Sequence, residues 1–176
     1  MAEMDPDELA RQIADTAVLH GNFTLRSGRT STYYIDKYLF LCRPGILAEL
    51  GAMMAARLPE GTDRLAGAEL GGIPLVSATS LASGLPCVFV RNTRKEYGTG
   101  RQLEGALEPD DKVVLVEDIA TSGGQALEAA ETISAHGAQV IRIIATVDRQ
   151  EGAREKIEAA GYSFDALFTT TDLGIG

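Results

Sequence analysis

The stretch Val113-Val114-Leu115-Val116-Glu117-Asp118-Ile119-Ala120-Thr121-Ser122-Gly123-Gly124-Gln125 decides how the rest of the chain is read. Its four branched apolar residues run without polar alternation, as a strand covered on both faces requires. Two adjacent carboxylates follow, then hydroxyl and glycine residues, then Ala126, Leu127, Ala130 and Ile133 at helical spacing. Backbone N–H groups at a helix N-terminus cradle a phosphate where glycine allows close approach, and Thr121 and Ser122 add hydroxyl donors. Glu117 and Asp118 beside such a cradle would repel a bare phosphate and need another task. Accepting hydrogen bonds from the 2′ and 3′ hydroxyls of a ribose supplies one, so the implied ligand is a ribose 5-phosphate. The plainer alternative is a capped helix with two solvated acids. The lysine of a P-loop is missing, and no G-x-G-x-x-G follows a strand, which argues against Walker-type and dinucleotide sites.

On both sides of this stretch the chain repeats strand, loop and helix. Strands are expected at 65–70, 86–91, 112–116, 139–147 and 166–168. Helices are expected at 73–83, 123–137 and 150–160. Continuous apolar strands alternating with helices predict an α/β fold with a parallel central sheet flanked by helices, which binds ligands at the carboxyl ends of its strands. Upstream, Asp5-Pro6-Asp7-Glu8 reads as a capped helix start, Leu9, Ile13 and Ala17 form one buried stripe, and Gly21 ends the helix. Phe23 to Asp36 reads as a hairpin turning at Ser27-Gly28-Arg29. A further helix begins near Pro44, with Leu47, Leu50, Met54 and Leu58 on one face. No repeat or linker divides the sequence, so 1–176 is read as one domain.

Sixteen basic against 25 acidic residues give a net charge of −9, which excludes a general binder of nucleic acid or anionic membrane. No run of about 18 apolar residues exists to span a membrane. The acidic N-terminus lacks a signal pattern, and Cys42 and Cys87 are too few for a disulfide framework or a zinc site. A cytoplasmic protein with reduced thiols is expected. Against this acidic background, Arg91 to Arg101 carries four basic residues and one acid, with glycines at 98 and 100 and no apolar anchor. Such a segment beside an anion site is a candidate mobile lid.

Residues 113–125 resemble the PRPP-binding motif of the type I phosphoribosyltransferase family, PRPP being 5-phosphoribosyl 1-pyrophosphate. From about His20 to Leu173 the chain resembles the orotate-using members. The resemblance implies that fold, with residues 1–40 contributing a helix and a small N-terminal hood. It places PRPP on Glu117, Asp118, Ile119, Ala120, Thr121, Ser122, Gly123, Gly124 and Gln125, with Gly71, Gly72, Arg91, Lys95 and Tyr97 at the pyrophosphate. Lys95 matches the catalytic lysine of a loop, about 92–105, that closes the neighbouring subunit's site in trans within a homodimer. Arg26, often lysine in the family, faces orotate and pyrophosphate. Tyr34 and Ile35 cover the orotate ring, and Thr121 and Arg149 also bind orotate, a guanidinium fork matching its carboxylate. Magnesium is implied as cofactor, held mainly by PRPP rather than by protein ligands.

Three positions depart from the family pattern. Asn92 stands where a second basic residue is common, Tyr97 where some members have histidine, and Gly71 where some have a lysine on pyrophosphate. His20 and His136 are read as helix-end residues, and no strong general base is assigned. Two rivals remain: a transferase for purine or another base, and a PRPP-sensing regulator of the same fold that grips nucleic acid. Purines offer Arg149 no carboxylate, and no second basic cluster exists to grip nucleic acid, so neither a nucleic-acid nor a membrane partner is expected.

Overall fold

The computed structural model describes residues 4–24, 28, 30–92 and 102–175. Helix α1 (Pro6–Ala17) leads into a two-stranded antiparallel hood, β1 (Val18–Thr24) and β2 (Thr30–Ile35). Helices α2 (Lys37–Leu41) and α3 (Pro44–Ala55) follow. The main sheet then assembles from β3 (Arg64–Ala68), α4 (Gly72–Ser83), β4 (Cys87–Val90), β5 (Leu103–Glu104), β6 (Lys112–Ala120), α5 (Gly124–Ser134), β7 (Gln139–Asp148), α6 (Ala153–Ala159) and β8 (Phe164–Thr169). Its order is β5-β4-β3-β6-β7-β8, parallel throughout except for the short edge strand β5.

Strand alternation divides the core between the two faces. Val114 and Val116 of β6, with Leu65 and Ile144, pack under α1 to α4. Val113 and Leu115, with Ala66, Ile143 and Ala145, pack under α5 and α6. The chain moves outward through β4 on one side of β3 and through β7 and β8 on the other. The crevice between the carboxyl ends of β3 and β6 is therefore the topological switch point, where open α/β sheets bind ligands. Gly67 makes close packing possible there: a Cβ would collide with the Gly72 carbonyl oxygen and lie 2.7 Å from Val76 Cγ1.

The structure corrects several expected boundaries. Helix α1 stops at Ala17, because Val18, Leu19 and His20 pair with Ile35, Tyr34 and Tyr33 of β2. His20 is thus an exposed strand residue and not a helix end. Strand β6 continues to Ala120, since β7 goes on pairing with it through Glu117, Ile119 and Ala120. The acid pair therefore stands inside the strand. Helix α2 was not foreseen: it has five residues, and its N-terminus is capped by Asp36, which accepts from Tyr38 N at 3.2 Å. The two-residue β5 was also missed, being too short for any periodicity.

Candidate active site

Alternation along β6 sends Asp118 to the face of Val114 and Val116, toward α2, and Glu117 to the opposite face. Both acids are buried, at 4% and 3% exposure for Glu117 and Asp118. At the first position of α2, Lys37 reaches Asp118, its Nζ 2.7 Å from Oδ2. Glu117 Oε1 accepts from Asp118 N–H at 3.1 Å. Glu117 Oε2 is buried with no hydrogen-bond partner among the described residues. Burial, and then the charge of Asp118, push the Glu117 carboxyl up to about 8. Burial would lower the Lys37 ammonium, but the charge and hydrogen bond of Asp118 outweigh it and raise the group above its ordinary value. Burial and the neighbouring charge thus favour the protonated form of Glu117, while Asp118 is ion-paired to Lys37. Both effects reduce the expected repulsion between the acid pair and a phosphate.

Beyond the acids, Thr121 to Gly123 turn the chain into α5. Gly123 is the N-cap at φ +75°, and no side chain caps the helix. A Cβ there would lie 3.0 Å from Ile157 Cγ1 and 3.2 Å from the Ala153 carbonyl oxygen, so both conformation and space require glycine. The first amides of α5 have no intrahelical acceptor, the arrangement that can accept an anion. Gln125 staples the neighbouring loops: its Nε2 donates to the Glu69 carbonyl at 3.2 Å and to Asn92 Oδ1 at 3.5 Å, while Asn92 N–H donates to Glu69 Oε1 at 2.6 Å. The carboxyl ends of β3, β4 and β6 are thereby joined. Gly71 and Gly72 begin α4 beside Asp118. Arg91 leaves β4 half-buried, its guanidinium 4.0 Å from Glu104 Oε1.

Arg149 follows β7 and is 9% exposed. Its Nη2 donates to the Tyr33 hydroxyl at 3.1 Å, the guanidinium stands 4.9 Å from the Tyr33 ring centroid, and Nε lies 2.9 Å from Glu151 Oε1. Arg149 N–H donates to the Ala120 carbonyl at 2.9 Å, which ties this arginine to the end of the acid-bearing strand. The structure does not bring Tyr34 or Ile35 to it. Ile35 is 3% exposed and packs in the core, and Tyr34 is exposed and packs on Phe23 at 5.7 Å. Strand alternation explains this, since Tyr33 and Ile35 point toward the body and Tyr34 points away. Arg26, Lys95 and Tyr97 lie outside the described residues. Lys37, Tyr33 and Glu151 were missed by sequence reasoning. Their signals were slight: a lysine just after a capping aspartate, one tyrosine of an adjacent pair, and an acid two residues past Arg149.

A cavity of about 400 Å³ borders the site at Arg91, Asn92 and Gln125 and continues along α5 to His136. It includes neither the acid pair nor Arg149, both of which stand at the carboxyl ends of the strands beside it.

A buried acid pair and an uncapped helix start meeting at the switch point define a phosphoribosyltransferase, and residues 44–165 match the family model of the phosphoribosyl transferase domain. The chain belongs, within that family, to the orotate phosphoribosyltransferases. It is 49% identical to the orotate phosphoribosyltransferase of Haloquadratum walsbyi over 89% of this chain and 85% of that one. The crystal structure of the Mycobacterium tuberculosis orotate phosphoribosyltransferase is similar at a TM-score of 0.86 and 32% identity, covering 98% of this chain and 100% of that one. The same enzyme in complex with PRPP is similar at 0.81 and 30% identity, with 98% and 100% covered.

Proposed function

We infer that the protein transfers the ribose 5-phosphate group of PRPP to orotate, giving orotidine 5′-monophosphate and pyrophosphate, as a pentosyltransferase of pyrimidine synthesis. The observation that carries the choice of base is Arg149, a nearly buried guanidinium held by Tyr33 and Glu151 one residue past the strand that pairs with β6. Orotate has a carboxylate for that fork, whereas purines and uracil have none.

In this reading the 5-phosphate sits on the amides and hydroxyls of Thr121 to Gln125. The ribose hydroxyls sit on Glu117 and Asp118, where the unpartnered Glu117 Oε2 awaits a donor or acceptor. The anomeric carbon–oxygen bond to pyrophosphate breaks as the orotate ring nitrogen attacks from the opposite face, through an oxocarbenium-like transition state. Negative charge grows on the departing pyrophosphate, so Lys95, Arg91 and Arg26 lower the barrier by binding it more tightly as it leaves. Closure of the loop 92–105 excludes water from the cationic carbon. No strong base is required, because the orotate ring N–H is already acidic.

Among the described residues no cluster of three or more acids, histidines and cysteines could hold a metal. The carboxylate oxygens of Glu117 and Asp118 are hard donors, but an ammonium occupies one of them. The residues fit a magnesium ion carried in by the substrate, for which Glu117 and Asp118 would be the nearest protein oxygens and which would supply charge neutralisation of the leaving group. A homodimer, with the loop 92–105 acting in trans, is proposed from the likeness to the orotate-using family. No helix among the described residues is long and apolar enough to cross a membrane, and a cytoplasmic location is proposed with the single-domain reading.

The test is the fall in orotate absorbance on mixing protein, PRPP, orotate and magnesium, with Lys95→Ala alongside. A PRPP-dependent loss with the parent protein, reduced at least 100-fold in Lys95→Ala, is expected. Turnover of adenine or hypoxanthine in place of orotate would overturn the assignment of the base. PRPP binding without turnover of any base would favour a regulatory protein.

A further inference from the structure

We propose that Lys37 binds the diphosphate of the substrate, supplying from α2 the cation that position 71 cannot carry. The inference rests on the transferase reading and adds a ligand to that site. In the observed arrangement glycine fits position 71: a Cβ would fall on Asp118 Oδ2 and lie 2.8 Å from Asp118 Cγ, so a side chain there requires the carboxylate to turn away. Backbone φ is an ordinary −70°, so conformation makes no demand for glycine there. The Glu69–Gly72 turn has closed against the acid and left no room for a side chain.

The oxygen that excludes a side chain from position 71 is the one that Lys37 holds at 2.7 Å. Lys37 and the Gly71 backbone therefore meet at one atom. Of the other cations around the site, Arg91 lies toward Glu104, Arg149 beside Glu151 and Lys156 near Gly124 at the start of α5, whereas Lys37 is the one paired with Asp118. An ammonium has three donors, and Asp118 takes one. The Lys37 side chain keeps 26% of its surface open, so the remaining donors are not sealed by protein.

The chemistry of the sugar then locates the ligand. A carboxylate that holds a ribose hydroxyl next to the anomeric carbon stands one carbon away from the diphosphate on that carbon. A cation on that carboxylate is in reach of the inner phosphate. Without Lys37 the cluster would keep one net negative charge, facing a strongly anionic leaving group.

Binding of pyrophosphate with magnesium, and separately of ribose 5-phosphate, should be measured by calorimetry on the parent protein, Lys37→Met, Lys37→Arg and Lys37→Gln. Pyrophosphate binding is expected to weaken at least tenfold in Lys37→Met and Lys37→Gln and less than threefold in Lys37→Arg. Ribose 5-phosphate, which lacks the diphosphate, should change less than threefold in all of them. Lys37→Gln keeps an N–H donor for Asp118 and preserves the test if Lys37→Met does not fold. Unchanged pyrophosphate binding would overturn the proposal. Equal weakening of both ligands would overturn it too, since Lys37 would then act only by holding Asp118. Orotate turnover by the same parent preparation separates the two levels: its absence refutes the transferase reading, and its presence with unaltered pyrophosphate binding refutes only the role of Lys37.

Discussion

Replacing Glu117 with glutamine removes a titrating proton from the middle of the sheet while keeping its shape. The carboxyl is 4% exposed and pushed from 4.5 up to about 8, mainly by burial and then by Asp118. The folded chain therefore retains a proton that the unfolded chain releases above about pH 4.5. A raised folded value gives stability that is complete below the unfolded value and is lost as pH rises toward the folded one. Inside that window the loss approaches about 1.4 kcal/mol per pH unit, and across it a total of roughly 3–5 kcal/mol. Glutamine cannot titrate, so this slope should vanish in Glu117→Gln. Urea unfolding of both proteins at pH 5.5, 7 and 8.5 checks the difference, in which other titrating groups cancel. The variant should be more stable by about 1 kcal/mol at pH 5.5 and by about 3–5 kcal/mol at pH 8.5, the latter a midpoint rise of about 2 M at a slope of roughly 2 kcal/mol per M. Parallel pH profiles would refute the reasoning, since Glu117 would then be ionised in the folded state. Loss of PRPP binding by the variant would not bear on it.

Four further outcomes are expected. Gly71→Ala should break the Lys37–Asp118 contact, raise KM for PRPP at least tenfold and cost about 1–3 kcal/mol of stability, read by steady-state kinetics and urea unfolding. Gly67→Ala should push α4 off β3, lowering the thermal midpoint by about 5–10 °C with a similar loss at every pH. Arg149→Ala should raise KM for orotate about 100-fold or more while leaving that for PRPP within threefold. Tyr33→Phe, which removes only the 3.1 Å hydroxyl contact, should raise it about three- to tenfold.

Much of the fold was legible because each β6 residue from Val113 to Val116 is apolar, a pattern that only a strand covered on both faces sustains. The cradle was legible for a similar reason: Gly123 is needed twice, for φ and for room beside Ile157. What escaped was set by distant partners. The length of β6 depends on β7 continuing beside it through Asp148, and the end of α1 depends on β2 taking Val18. Lys37 and Asp118 are far apart in sequence, and nothing local to either signals an ion pair. Ile35 and Tyr33 share one face of β2, so sequence alone could not tell which tyrosine of the pair meets Arg149. The loss of a side chain at position 71 looked like a missing charge, and in the structure it is the space that lets Asp118 and Lys37 meet.

The decisive measurement is pyrophosphate release from PRPP with orotate and with uracil under identical conditions. The two bases differ by the carboxylate assigned to Arg149. Orotate is expected to support release, with uracil lower in kcat/KM by at least about 100-fold, since uracil offers no carboxylate to the Arg149 fork. Comparable rates with uracil, or release with a purine and none with orotate, would contradict the assignment of this site to orotate.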